Sequence, residues 1–217
     1  MTYLLYYAPG ACSMAAHIVL EELAVPFELE VVSVTEGATL QPAYLAINPK
    51  GRVPALRIGG EPRVLTELPV ILAYLARTHP AGALLPTANT LDEARCHEWL
   101  AWLSGWVHGT GYGEVWRPQR FIADTARFGE IMTNGRDTIV AAYAVIERAF
   151  ADDGRQWAVA SGYSIVDPLL LVLYCWGRHI GLQMRTDYPA WAAHAERMLM
   201  RPAVQRVIER EGVHVDA

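Results

Sequence analysis

Residues 3–16 read Tyr-Leu-Leu-Tyr-Tyr-Ala-Pro-Gly-Ala-Cys-Ser-Met-Ala-Ala. The apolar, aromatic run from Tyr3 to Tyr7 suits a buried strand, and Pro9-Gly10 ends it in a turn. Residues 13–23 then carry Ala16, Ile18, Val19 and Leu20 in a helical pattern. A strand that turns directly into a helix opens an α/β unit, and it sets Cys12 at the first turn of that helix. Unpaired N–H groups and the helix dipole gather there, and both favour thiolate over thiol. A lone cysteine is equally a small core residue, so position alone supports a reactive Cys12 and a packed one alike. Ser13 either caps the same helix or offers a hydroxyl to a ligand thiolate.

Outward from this stretch, Phe27, Leu29 and Val31 alternate with Glu28 and Glu30, which predicts a second strand over 27–34. A short helix is expected around 42–47. Asn48-Pro49-Lys50-Gly51 is a turn signal. Residues 53–58 and 63–65 flank Gly59-Gly60 as a hairpin, and 70–77 is helical again. Pro80, Gly82 and Pro86 mark a linker. Beyond it every pattern is helical: 91–107 as one long helix, 123–150 as another or a broken pair, then 165–180, 191–200 and 203–211. The expected fold class is therefore α/β plus all-α: an α/β domain over 1–79, a linker over 80–88 and an all-helical domain over 89–217.

Composition narrows the function. The 217 residues are 53% hydrophobic and 19% charged, enough for a real core and against disorder. A net charge of −5 supplies no basic field for nucleic acid or an anionic membrane. Lys50 is the single lysine among 18 Lys and Arg residues, which reads as codon bias but leaves any lysine-dependent site one candidate. Residues 1–7 lack the basic and long apolar regions of a signal peptide, and the longest apolar run, 169–176, is too short to span a bilayer. Cys12, Cys96 and Cys175 are odd in number and widely spaced, with no metal spacing and no disulfide framework. A reducing cytoplasm is the expected compartment.

Other residues carry chemistry or imitate it. On residues alone Val53-Pro54 is expected to be trans, because only about 5–6% of X–Pro bonds are cis. A cis bond would leave the Val53 N–H and C=O free for an extended, peptide-like ligand. Thr66-Glu67 precedes a helix whose first N–H groups suit a carboxylate while Glu67 suits an ammonium; simple capping fits equally. His108 follows the stripe Trp99, Trp102, Trp106 and is a helix C-terminal cap or a catalyst. Tyr112 and Trp116 line an apolar pocket or belong to the core. Ser164-Ile165-Val166-Asp167, with Tyr163 before it as a staple, is a capping box and a folding signal.

Together, Tyr6 through Ser13 (YYAPGACS), Asn48 through Leu56 (NPKGRVPAL), Leu65-Thr66-Glu67, Glu98-Trp99-Leu100 with His108, and Ser164 through Asp167 resemble the bacterial beta-class glutathione transferases across essentially the whole chain. The resemblance implies a thioredoxin-like N-terminal domain that binds glutathione as cosubstrate, and a helical C-terminal domain with a pocket for a hydrophobic electrophile. It also implies a homodimer and no metal. It assigns Cys12 and His108 to the glutathione sulfur, with Cys12 able to form a mixed disulfide. It assigns Val53 and a cis Pro54 to the cysteinyl backbone, Glu67 and the Leu68 N–H to the γ-glutamyl end, and Tyr6 and Ser13 to the same binding site. Four positions depart from the pattern. Residues 35–39 hold no lysine, Leu68 replaces Gly or Ser, Gly109 stands where a lysine is common, and Ala101 where an asparagine is found. The expected activity is conjugation of glutathione to an electrophile. The alternatives are thiol–disulfide or peroxide reduction through a Cys12 mixed disulfide, and a non-catalytic binding protein on the same fold.

Overall fold

The computed structural model describes residues 2–215; residue 1 and residues 216–217, the outer ends of the two expected domains, lie outside the described residues. Strand β1 (Tyr3–Tyr7) runs through the turn into α1 (Ser13–Glu22), which returns the chain to β2 (Phe27–Val31) parallel to β1. A parallel pair needs such a crossover, and α1 supplies it. After the short α2 (Pro42–Leu45), β3 (Ala55–Ile58) and β4 (Leu65–Thr66) add antiparallel strands, giving the order β2-β1-β3-β4. Helix α3 (Leu68–Thr78) closes the unit. The second strand stops at Val31, short of the expected 34, where the side chain is already exposed.

Side-chain alternation along β1 sorts the two faces. Tyr3, Leu5 and Tyr7 point into the main core with α1 and α3, whereas Tyr6 joins Val32, Tyr44 and Ala55 in a smaller cluster on the other face.

The remainder is helical. Helix α4 (Leu91–Trp102) does not end as a plain α-helix near 107. It continues as a π-helical segment, Leu103–Tyr112, and then α5 (Gly113–Trp116). Gly105, Gly109 and Gly111 lie in that segment, and π geometry is concentrated at functional sites. Helix α6 (Phe128–Ala151) presses on it: a Cβ on Gly135 would lie 2.7 Å from the Gly111 carbonyl oxygen, and one on Gly111 would lie 2.8 Å from Ile139. The expected start at 123 is displaced to 128 by a short 3-10 turn, Thr125–Arg127, capped by Asp124. Helix α7 (Val166–His179) is buried along most of its length; α8 (Met184–Asp187) and α9 (Pro189–Leu199) pack against it, and α10 (Pro202–Glu211) packs on α1 and α9.

The capping box at α7 does more than cap. The Asp167 carboxylate, fully buried, accepts from the Ser164 N–H at 2.7 Å, the Ser164 hydroxyl at 3.2 Å and the Ala158 N–H at 2.9 Å. It also pairs with His194 Nε2 at 2.9 Å, so one side chain joins α7, α9 and the loop before α7. Tyr163 packs edge-on against Trp157, with the Arg201 guanidinium 3.6 Å over its ring.

Helix α1 binds the two units together. It packs on α7 and α10, and Glu21 pairs with Arg206 and Arg210 while Glu22 pairs with Arg201. No helix among the described residues is long and apolar enough to cross a membrane.

Candidate active site

The Cys12 turn, the loop entering β3, the start of α3 and the π-helical segment border one cleft. Each wall has an identifiable cause. Gly10 holds φ at +66°, a conformation that favours glycine. Its N–H donates to Glu211 Oε2 at 2.9 Å, and its carbonyl accepts from Trp176 Nε1 at 2.8 Å. Glu211 is braced in turn by His17 Nδ1 at 2.8 Å. Helical residues from the second unit therefore position the turn that presents Cys12. The Trp176 indole also packs edge-on against His108, Tyr112 and Trp116, with ring centroids 4.9, 5.0 and 4.9 Å away. The same side chain thus sets the spacing between the cysteine turn and the opposite wall.

Cys12 lies at the N-terminus of α1, as expected, but the electrostatic consequence differs. The N–H groups of Cys12 and Ser13 and the charges of Arg117 and Arg52 all favour thiolate. Burial outweighs them, because the sulfur sits within the apolar core, and pushes the thiol up to about 12. In the free protein Cys12 is a neutral thiol, its Sγ 3.5 Å from the Val53 carbonyl oxygen it donates to.

The facing loop is pinned from within. Tyr44 Oη and Asn48 Nδ2 both donate to the Arg52 carbonyl, at 2.8 and 2.7 Å, and Asn48 Oδ1 accepts from the Lys50 N–H. Val53-Pro54 is cis, in accord with the resemblance and against the expectation from residues alone. Val53 precedes β3, so its N–H and C=O lie outside the sheet ladder.

Glu67 holds φ +66° and ψ 112°, an uncommon conformation for a residue with a Cβ and one concentrated at functional sites. Its carboxylate meets Lys50 Nζ at 2.7 Å, and the same ammonium donates to Thr66 Oγ1 at 2.9 Å. The single lysine of the chain is thus part of the cleft. Leu68 opens α3, where N–H groups have no helical partner; its side chain is packed in the main core, which absorbs the added bulk.

His108 projects from the π-helical segment into the cleft. Burial first, and then the charges of Arg117, Arg52 and Arg120, lower it to about 4, so it is neutral at pH 7. Beside it the Ser104 hydroxyl is shielded from water with no hydrogen-bond partner, an orphan that a bound ligand would satisfy. Tyr112 and Trp116 complete an aromatic wall.

Of the residues singled out from the sequence, Cys12, Val53, Pro54, Glu67, Leu68 and His108 meet in this cleft. Ser13 and Tyr6 do not line it. The Ser13 hydroxyl is fully buried and bonded at 3.1 Å to both the N–H and the C=O of Ala8, so it closes the turn. Tyr6 points to the other face of the sheet by strand parity and accepts from Arg57 at 3.3 Å. Arg52, Arg117 and Arg120 were not singled out. Arg52 adjoins Val53-Pro54, which could have flagged it; the other two lie in a connection with no local signal.

Comparison with known proteins finds relatives over the whole chain. The family model described as "Glutathione S-transferase, N-terminal domain" matches residues 10–78. Glutathione S-transferase GST-4.5 of Xanthomonas campestris pv. campestris is 30% identical over 97% of this chain and 99% of its own length. A glutathione transferase homologue from Sulfitobacter, solved with bound glutathione, superposes with a TM-score of 0.90 at 28% identity, covering 98% of this chain and 99% of that one. The bacterial beta-class glutathione S-transferase of Sphingomonas chungbukensis gives 0.84 at 29% identity, with 97% and 100% covered.

Proposed function

The chain belongs to the glutathione S-transferase family, and on that premise we propose that it conjugates glutathione to a small electrophile held against the Tyr112–Trp116 wall. One observation carries the reading: Cys12, His108 and the Val53-Pro54 backbone converge on a single cleft, and the Val53 N–H and C=O stand outside the sheet. The cysteinyl backbone of glutathione pairs with Val53 as an added strand would. The γ-glutamyl carboxylate takes the Leu68 N–H at the start of α3, and its ammonium takes Glu67.

The glutathione sulfur then lies between Cys12 and His108. Because both are neutral at pH 7, neither supplies a counter-charge; each donates a hydrogen bond to the sulfur. Positive charge comes from the α1 N-terminus and the guanidinium groups, which favour the thiolate of the ligand. The thiol proton passes to solvent, the thiolate attacks the electrophilic carbon, and the leaving group departs with its electron pair. The raised Cys12 thiol weighs against the route through a Cys12 mixed disulfide. Three free cysteines fit a reducing cytoplasm, and the homodimer is the assembly that the family resemblance implies.

Turnover of 1-chloro-2,4-dinitrobenzene tests the proposal. Glutathione-dependent release of chloride above the uncatalysed rate is expected from the wild type. A rate equal to the uncatalysed one at millimolar glutathione, with this and other activated halides, would overturn the reading.

A further inference from the structure

The charges around the cleft point to the chemical class of the second substrate; this inference rests on the transferase reading above. Lys50, Arg52, Arg117 and Arg120 border the cleft against one carboxylate, Glu67, a net of three positive charges in a chain whose net charge is −5. Elsewhere many arginines have carboxylate partners, as Arg77 with Glu93, Arg95 with Glu98, Arg201 with Glu22 and Arg206 with Glu21, and others bond carbonyl or hydroxyl oxygens, as Arg57, Arg136 and Arg197 do. Among the described residues no carboxylate pairs with Arg52, Arg117 or Arg120. Burial, then the charges of Arg117 and Arg52, pull Arg120 below its usual value. Such a cluster is destabilising unless an anion enters it.

Glutathione does not exhaust this charge. As thiolate it brings two carboxylates, one sulfur anion and one ammonium, which leaves one positive charge unmatched. Location divides the cations. Lys50 and Arg52 belong to the loop that carries Val53, on the glutathione side. Arg117 and Arg120 follow Trp116, on the aromatic wall contributed by the helical unit. We propose that the acceptor is an anionic electrophile whose carboxylate is held by Arg117 and Arg120 while its carbon skeleton lies on Tyr112 and Trp116. Guanidinium groups suit this task because their donor fork matches a carboxylate. The carboxylate takes no part in the bond changes; it fixes the reacting carbon opposite the glutathione sulfur.

A pair of probes of nearly equal shape isolates the charge: 4-chloro-3-nitrobenzoate and 4-chloro-3-nitrobenzamide. In each, the thiolate forms a C–S bond at the chlorinated carbon, and the C–Cl bond breaks with its electron pair to give chloride. Each enzymatic kcat/KM is divided by the uncatalysed rate constant with glutathione, and the benzoate-to-benzamide ratio is compared between wild type and an Arg117→Gln/Arg120→Gln double variant. Charged hydrogen bonds of ordinary strength give a wild-type ratio of about tenfold or more, carried by KM, that falls towards one in the variant. A wild-type ratio near one, or a ratio unchanged in the variant, overturns the proposal. Calorimetric binding of the two probes without glutathione reads the same preference independently. If neither probe is turned over but the benzoate still binds at least tenfold tighter, the transferase reading fails while the anion site stands; equal binding removes the site.

Discussion

Iodoacetamide should alkylate Cys12 of the ligand-free protein at pH 7 on the order of a thousandfold more slowly than an unperturbed cysteine of equal access. The reagent reacts with thiolate. Raising the thiol from 9.0 to about 12 lowers the thiolate fraction tenfold for each unit, and the buried sulfur leaves no steric compensation. The sign fixes the pH profile: a raised acid stays protonated longer, so the rate should climb through pH 10 without a plateau. Peptide mapping by mass spectrometry after timed quenching reads it site by site. A plateau below pH 8 would mean that the helix terminus and the arginines outweigh burial, and would restore Cys12 as a nucleophile.

Asp167→Ala should cost about 3 kcal/mol or more of stability, because several buried donors lose their acceptor together and each unsatisfied group costs about 1–3 kcal/mol. The loss leaves Ser164, Ala158 and His194 with buried donors facing a void. Asp167→Asn keeps one acceptor but turns an amide towards N–H donors, so it should fall between wild type and Asp167→Ala. Urea denaturation midpoints measure the series, and Asp167→Asn supplies the reading if the alanine variant does not accumulate. A midpoint for Asp167→Ala equal to wild type would show that the carboxylate is not what joins α7 to α9.

These two residues also mark what could be read from the sequence. Ser164 and Asp167 declare themselves three residues apart before an apolar run, because capping is local. That Asp167 also reaches His194, 27 residues on, has no local signature. Cys12 was legible as the first residue of a helix after a turn, for the same local reason. Its protonation was not legible, because its burial depends on residues distant in sequence, among them Val53, whose carbonyl oxygen meets the sulfur. Tyr6 sits in a motif with Cys12 yet faces away from it, since neighbouring strand residues point to opposite faces. The α/β and helical halves were readable from periodicity. The π-helical run at Leu103–Tyr112 was not, because apolar spacing does not distinguish one helical geometry from another when glycines interrupt it.

The central claim is that this cleft takes glutathione and holds it as thiolate. Titration calorimetry with reduced glutathione at pH 7, repeated in buffers of different ionisation enthalpy, measures binding and proton release together. One glutathione per chain, binding at millimolar or tighter and releasing most of a proton, is the predicted result. Absence of binding heat at millimolar glutathione in every buffer, or binding with no proton released, would contradict it.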